Sequence, residues 1–303
     1  MSPRTWAELR SHAERVLGDA AVDAPDTEAR WMVERVSGYD GVELVLGEHE
    51  TATGPAIAQL DAMLERRAGG EPLQYVLGRW QFLELDLLVD RRVLVPRPET
   101  EVVARVAVDE AVRLGLRRGR GDPWVSDTEY PVADLGTGSG ALALWLAREL
   151  PDAEVWATDV SDDALAVARA NLAGIGAAAT RVRLAAGSWF GALPPRLRGR
   201  LRVVTSNPPY VAEHEVADLP AVVADWEPRG ALVSGPTGLE AIAEIVRDAF
   251  DWLDPAGGAL IVELAPHQAE TAARFASERG FTAVEVREDL AGRSRVLVAR
   301  RAR

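Results

Sequence analysis

From residue 131 onward, short apolar runs alternate with helix-patterned stretches, and this rhythm restricts the fold more than any other feature of the chain. The runs cover residues 132–135, 153–158, 182–185, 201–205, 259–264, 281–286 and 295–299. Helical stretches occupy 140–150, the segment capped by Ser161-Asp162-Asp163, 237–252, and the residues before Phe281. Strands separated by helices build a mainly parallel sheet with helices on both faces. The turn 289–293 is short, so the last two of the seven strands are expected to be antiparallel.

The first 79 residues have a different period. Thr5 caps a stretch with Trp6, Leu9, His12, Val16 and Leu17 on one helical face, ended by Gly18. Asp26-Thr27-Glu28 opens a second with Ala29, Met32, Val33 and Val36, closed by Gly38. A third runs from Gly54-Pro55 through Ile57, Leu60, Met63 and Leu64 to Gly69-Gly70. Residues 80–95 read as an extended hairpin or linker. Pro96 and Pro98 then hold the chain extended before a helix over 100–114. The polar, glycine-rich residues 117–127 predict a surface loop. The spacing therefore divides the chain into a small helical domain (1–79), a hairpin or linker (80–95) and an α/β domain (96–303).

Composition narrows the chemistry. No apolar run approaches the roughly 20 residues of a membrane span, and the start lacks a basic-then-apolar signal pattern. There is no cysteine, which removes disulfides and thiol nucleophiles, and a cytoplasmic protein is expected. The 47 acidic and 34 basic residues leave a net charge of −13, against a nucleic-acid footprint. Every basic residue is arginine, so neither a Schiff-base lysine nor a phosphate-loop lysine can exist. The histidines (His12, His49, His214, His267) have no ligand spacing, and no metal site is expected.

Asp134-Leu135-Gly136-Thr137-Gly138-Ser139-Gly140 joins the first strand of the alternating region to a helix. Glycines there let backbone pass close to a cofactor, and a helix N-terminus offers free N–H groups. Read as Gly136-x-Gly138-x-x-Ala141, the loop satisfies the dinucleotide fingerprint. Asp134 beside it would repel a pyrophosphate but suits ammonium and sulfonium charge, and Gly140 completes the Gly-x-Gly-x-Gly pattern usual for S-adenosylmethionine. Asp159, ending the second strand, can accept both ribose hydroxyls.

Thr205-Ser206-Asn207-Pro208-Pro209-Tyr210 ends the fourth strand. Strand order in such sheets reverses beside the first strand, which would set the fourth next to it and bring Asn207 to the glycine loop across one crevice. These residue types suit methylation of a planar nitrogen. The Asn207 side-chain oxygen and the Pro208 carbonyl can each accept one N–H of an NH2 group. Pro208 and Pro209 stiffen the turn, and Tyr210 offers a ring face.

With these motifs in hand, the sequence resembles the release factor glutamine methyltransferases (HemK/PrmC family). The resemblance rests on Glu71-Pro72-Leu73-Gln74-Tyr75, Val95-Pro96-Arg97-Pro98-Glu99-Thr100-Glu101, the loop 134–140, Gly187-Ser188-Trp189-Phe190, 206–210, and Asp289-Leu290-Ala291-Gly292-Arg293. It implies a Rossmann-like seven-stranded S-adenosylmethionine-dependent methyltransferase domain behind a small all-α N-terminal domain that recognises the substrate. It also implies transfer of a methyl group to the glutamine amide in the Gly-Gly-Gln loop of class 1 peptide chain release factors. Carried over by position, Gly136, Thr137, Gly138, Ser139 and Gly140 hold the methionine part of the cofactor and Asp159 the ribose. Trp189 lies near the adenine, and Asn207, Pro208, Pro209 and Tyr210 hold the glutamine, with Asn207 also near the cofactor. Ser188 departs from the Asp common before the Trp, Arg202 from a frequent acidic residue, and the segment after Glu263 lacks a glycine. A sibling group modifies a glutamine of a ribosomal protein, and adenine-amine methyltransferases of DNA or RNA carry similar Asn-Pro-Pro-Tyr motifs. Both remain alternatives at this level.

Overall fold

The computed structural model describes residues 4–116 and 129–301, so the loop expected over 117–127 lies outside the described residues. Internal packing separates two compact units. One comprises the described residues up to Arg79 together with Ala221–Trp226; the other comprises Trp80–Pro220 and the described residues from Glu227 onward.

The first unit is helical: α1 (Trp6–Asp19), α2 (Pro25–Ser37), α3 (Gly41–Leu46), α4 (Gly54–Ala68) and α5 (Leu73–Leu77). At the start of α1, Thr5 Oγ1 accepts the Glu8 N–H at 3.3 Å and Glu8 Oε2 accepts the Thr5 N–H at 2.9 Å. This reciprocal pair satisfies two of the N–H groups a helix start leaves open. The helix runs past Gly18 to Asp19, because glycine in a last turn weakens a helix without forbidding it. Gly38, at φ 76°, ends α2 in the left-handed region where glycine alone carries no penalty. Leu9, Ala13 and Leu17 of α1, Met32 and Val33 of α2, and Leu60 of α4 are buried with this spacing. Arg67 binds Glu28 through two hydrogen bonds of 2.6 and 3.0 Å.

The second unit takes up the chain within β1 (Arg79–Phe82), which forms a two-stranded sheet with β2 (Leu85–Leu88) and is followed by α6 (Pro98–Arg113). The main sheet uses β3 (Tyr130–Leu135), β4 (Ala153–Asp159), β5 (Val182–Ala186) and β6 (Val203–Ser206), with α7 (Ala141–Glu149) and α8 (Asp162–Leu172) in the crossovers. Then come β7 (Val211–Ala212), α9 (Ala221–Ala224, in the helical unit), α10 (Arg229–Leu232), β8 (Val233–Gly235) and α11 (Glu240–Trp252). The chain closes with β9 (Gly258–Glu263), α12 (Ala269–Arg279), β10 (Ala283–Glu288) and β11 (Ser294–Arg301). The order of the seven-stranded sheet is β10-β11-β9-β6-β3-β4-β5, and β11 runs antiparallel to both neighbours. The remaining pairs are parallel, and β3 has β4 on one side and β6 on the other.

Alternate residues of one strand enter opposite cores, as the two-residue period of a strand requires. Ala259 and Ile261 join a cluster with Val103 of α6 and Leu144 of α7; Leu260 and Val262 join one with Ile242 of α11 and Ala272 of α12. Both faces of the sheet are thus covered, which parallel strands need. Among the described residues no helix is long and apolar enough to cross a membrane.

Candidate active site

Register positions the site. Leu135 of β3 pairs with Thr158 of β4 and with Ser206 of β6, and Asp159 of β4 pairs with Ala186 of β5. The carboxyl ends of the four strands therefore stop level, at the point where strand order reverses, and their loops emerge side by side. They surround a cavity of about 420 Å³, within the range of small-molecule sites. Gly136, Thr137, Gly138, Ser139, Asp159, Trp189, Asn207 and Pro209 line it, together with Thr100 from α6 and Asp134. Gly140, Pro208 and Tyr210 are not among the lining residues.

The glycine loop is held from below. Gly136 has φ 70°, and a Cβ there would sit 3.0 Å from Cζ3 of Trp189, so the indole closes over a position where only glycine fits. Trp189 itself adopts a positive φ of 42°. Thr137 donates its N–H to the Thr158 carbonyl at 2.8 Å and its hydroxyl to Asp134 Oδ2 at 2.7 Å. Thr205 donates to Asp134 Oδ1 at 2.9 Å. Burial pushes the Asp134 carboxyl up to about 6, against the pull of these two hydroxyls. Gly140, at φ 88°, caps the start of α7, and a Cβ there would meet Leu144 at 3.3 Å and Ala168 at 3.4 Å.

Asp159 accepts the N–H of Gly138 at 2.8 Å through Oδ2 and that of Ser161 at 2.9 Å through Oδ1. Its carboxylate faces the cavity while it fixes the glycine loop, and burial holds its pKa above the ordinary value. Asn171 of α8 was silent in the sequence. Its Nδ2 donates to the Ser139 carbonyl at 2.9 Å and to the Leu88 carbonyl at 3.0 Å, which ties the loop to β2.

On the opposite side, Asn207 donates through Nδ2 to Thr100 Oγ1 at 3.0 Å. Its Oδ1 is buried and has no hydrogen-bond partner in the protein. Thr100 in turn donates to Glu263 Oε2 at 2.6 Å. Tyr210 directs its hydroxyl to Glu263 Oε1 at 3.4 Å, and its ring packs against the core cluster on the α11 and α12 side. Burial, then the charge of Glu263, raise the Tyr210 pKa. The Tyr210 carbonyl accepts from Gln268 Nε2 at 2.9 Å, which also donates to the Gly238 carbonyl at 3.0 Å. A Cβ on Gly238 would stand 2.5 Å from the Tyr210 oxygen, so this segment closes only over glycine. No local pattern announces Gln268 or Gly238; Thr100 and Glu263 stand in motifs, but the link between them is long-range.

Comparison with known proteins gives the family of the chain. A model described as "PrmC N-terminal domain" matches residues 8–78, and one described as "Methyltransferase small domain" matches residues 102–223. A release factor glutamine methyltransferase of Deinococcus radiodurans is 38% identical over 297 residues, 97% of this chain and 98% of that protein. One of Rhodopirellula baltica is 34% identical over 282 residues, 92% of this chain and 90% of that protein. The chain belongs to the release factor glutamine methyltransferase family. The solved catalytic domain of hMettl16, in complex with the MAT2A 3'UTR hairpin 6, has the same fold at 13% identity. Its TM-score is 0.55, and the match covers 89% of this chain and 92% of that one. Among the described residues no group of three or more His, Asp or Glu side chains is arranged to hold a metal ion.

Proposed function

We propose that this protein methylates the side-chain amide nitrogen of the glutamine in the Gly-Gly-Gln loop of class 1 peptide chain release factors, using S-adenosylmethionine. The observation that carries the reading is the Asn207 side-chain oxygen, buried at the cavity wall without a partner. A buried acceptor in that state costs about 1–3 kcal/mol until a donor arrives. An amide NH2 supplies that donor.

The cavity fits the methyl donor. In the loop Gly136, Thr137, Gly138, Ser139 and Gly140 the backbone takes positive φ at all three glycines, and at Gly136 it passes beneath the Trp189 indole where a Cβ would stand 3.0 Å from the ring. The Asp159 carboxylate has lone pairs left for ribose hydroxyls after accepting two backbone N–H groups. Buried Asp134 adds negative potential beside an ammonium or sulfonium. When bound, S-adenosylmethionine supplies an electrophilic methyl group whose bonding pair leaves with sulfur.

An amide nitrogen delocalises its lone pair into the carbonyl and is a weak nucleophile, so the protein's contribution is orientation. Asn207 Oδ1 takes one N–H and the Pro208 carbonyl the other. Tyr210 braces the turn through Glu263 and Gln268. The nitrogen grows acidic as its new C–N bond forms, and its proton leaves to water without a strong base. In this reading the helical unit recognises the release factor.

Asn207→Ala is the test. Methyl transfer to a release factor should fall by about a hundredfold or more, while calorimetry finds cofactor affinity within a few-fold of the parent. Near-normal turnover in that variant would sink the orientation mechanism.

A further inference from the structure

We propose that Glu263, acting through the Thr100 hydroxyl, is the positioning residue that decides which end of the Asn207 amide faces the cavity. The proposal rests on the reading of Asn207 as acceptor for the substrate NH2.

Three residues distant in sequence form one line: Glu263 at the end of β9, Thr100 in the first turn of α6, and Asn207 after β6. Thr100 Oγ1 donates to Glu263 Oε2 at 2.6 Å and receives Asn207 Nδ2 at 3.0 Å. Glu263 is wholly buried and Thr100 nearly so. A hydroxyl has one hydrogen, and an ionised carboxylate can only accept. With that hydrogen committed to Glu263, the Thr100 oxygen has only lone pairs for Asn207. The amide must then present Nδ2 to Thr100 and Oδ1 to the cavity. Turned over, it would set two acceptors against each other and offer the incoming NH2 a donor.

Protonation of Glu263 removes the constraint. A carboxylic acid can donate to Thr100, whose own hydrogen is then free to meet Asn207 Oδ1, so the reversed amide is satisfied too. Burial pushes the Glu263 carboxyl up to about 7, with Glu99 of α6 raising it as well; the Thr100 hydroxyl, the Arg295 guanidinium of β11 and the Tyr210 hydroxyl pull the other way. Asp289 lies behind Arg295 at 3.7 Å, and Arg293 holds Glu99 at 2.8 Å. Since the ionised form is the competent one, methyl transfer rises with pH through this range and is lost below it.

The test compares the wild type, Glu263→Gln, Thr100→Val and Thr100→Ser on a purified class 1 release factor across pH 5.5–9 (roughly one to two units either side of the raised carboxyl). Thr100→Val should lower kcat by about a hundredfold, the scale of a misplaced reacting group, with KM for both substrates within about threefold. Thr100→Ser keeps the hydroxyl and should restore kcat to within about threefold of wild type. Glu263→Gln, unable to ionise, should lose the acid limb of the kcat profile. Wild-type kcat in Thr100→Val, or an unchanged acid limb in Glu263→Gln, would overturn the positioning role while leaving the functional reading standing. A wild type that transfers no methyl to glutamine overturns both.

Discussion

Gly136 is where backbone conformation and cofactor access meet in one residue. Its φ of 70° and the indole 3.0 Å from a notional Cβ leave no room for alanine unless Trp189 moves. Gly136→Ala should therefore lower stability by about 1–2 kcal/mol, the usual cost of a non-glycine residue in a strained backbone region, and weaken S-adenosylmethionine binding by at least about tenfold. Urea denaturation and calorimetry would check the two effects, and parent-like values in both would show that the loop has slack. This glycine was legible because it stands in a local Gly-x-Gly-x-Gly run at the end of a strand, although its contact with Trp189 is long-range. Asp159 and Asn207 were legible for a similar reason, since each ends a strand beside the loop. Thr100, Glu263, Asn171 and Gln268 act on these residues from other elements, joined only by sheet register and crossover packing. Thr100 stood in a recognised motif, yet nothing local pairs it with a carboxylate on β9.

At the level of elements, α6 deserves its place beside the site through a charge clamp at its far end. Glu110, 1% exposed, accepts Arg300 of β11 at 2.8 and 2.5 Å and Arg113 at 2.7 Å. Burial works against its charge, but the arginines outweigh it and hold its pKa below the ordinary value. Glu110→Ala would leave Arg300, only 15% exposed, with Glu285 at 2.7 Å as its remaining carboxylate, and should cost about 1.5–3 kcal/mol, the scale of hydrogen bonds lost by a charged group. A loss under about 1 kcal/mol by urea denaturation would mean that solvent already screens the cluster. The clamp was invisible in sequence because its partners come from a helix and from the last strand. Long elements were easier to read. The periodicity of α1, α2 and α4 and the strand–helix alternation announced themselves, whereas α3, α5, β7 and β8 are too short to complete a recognisable period.

For the whole molecule, reversal of strand order beside β3 gathers loops from four strands into one cavity, and the sequence rhythm implied that reversal. The membership of Ala221–Trp226 in the helical unit had no sequence signal, because a six-residue return carries neither helical nor strand period. The net charge of −13 fits a protein substrate better than a polyanion, whose binding draws on phosphate neutralisation. The central claim is that the NH2 held by Asn207 belongs to a glutamine. The most direct measurement offers labelled S-adenosylmethionine and a purified class 1 release factor, with DNA, RNA and ribosomal protein in parallel, and locates added methyl groups by mass spectrometry. The account requires a single methyl on the side-chain amide of the Gly-Gly-Gln glutamine and none on nucleic acid. Label on adenine amines, with the release factor unmodified, would contradict it.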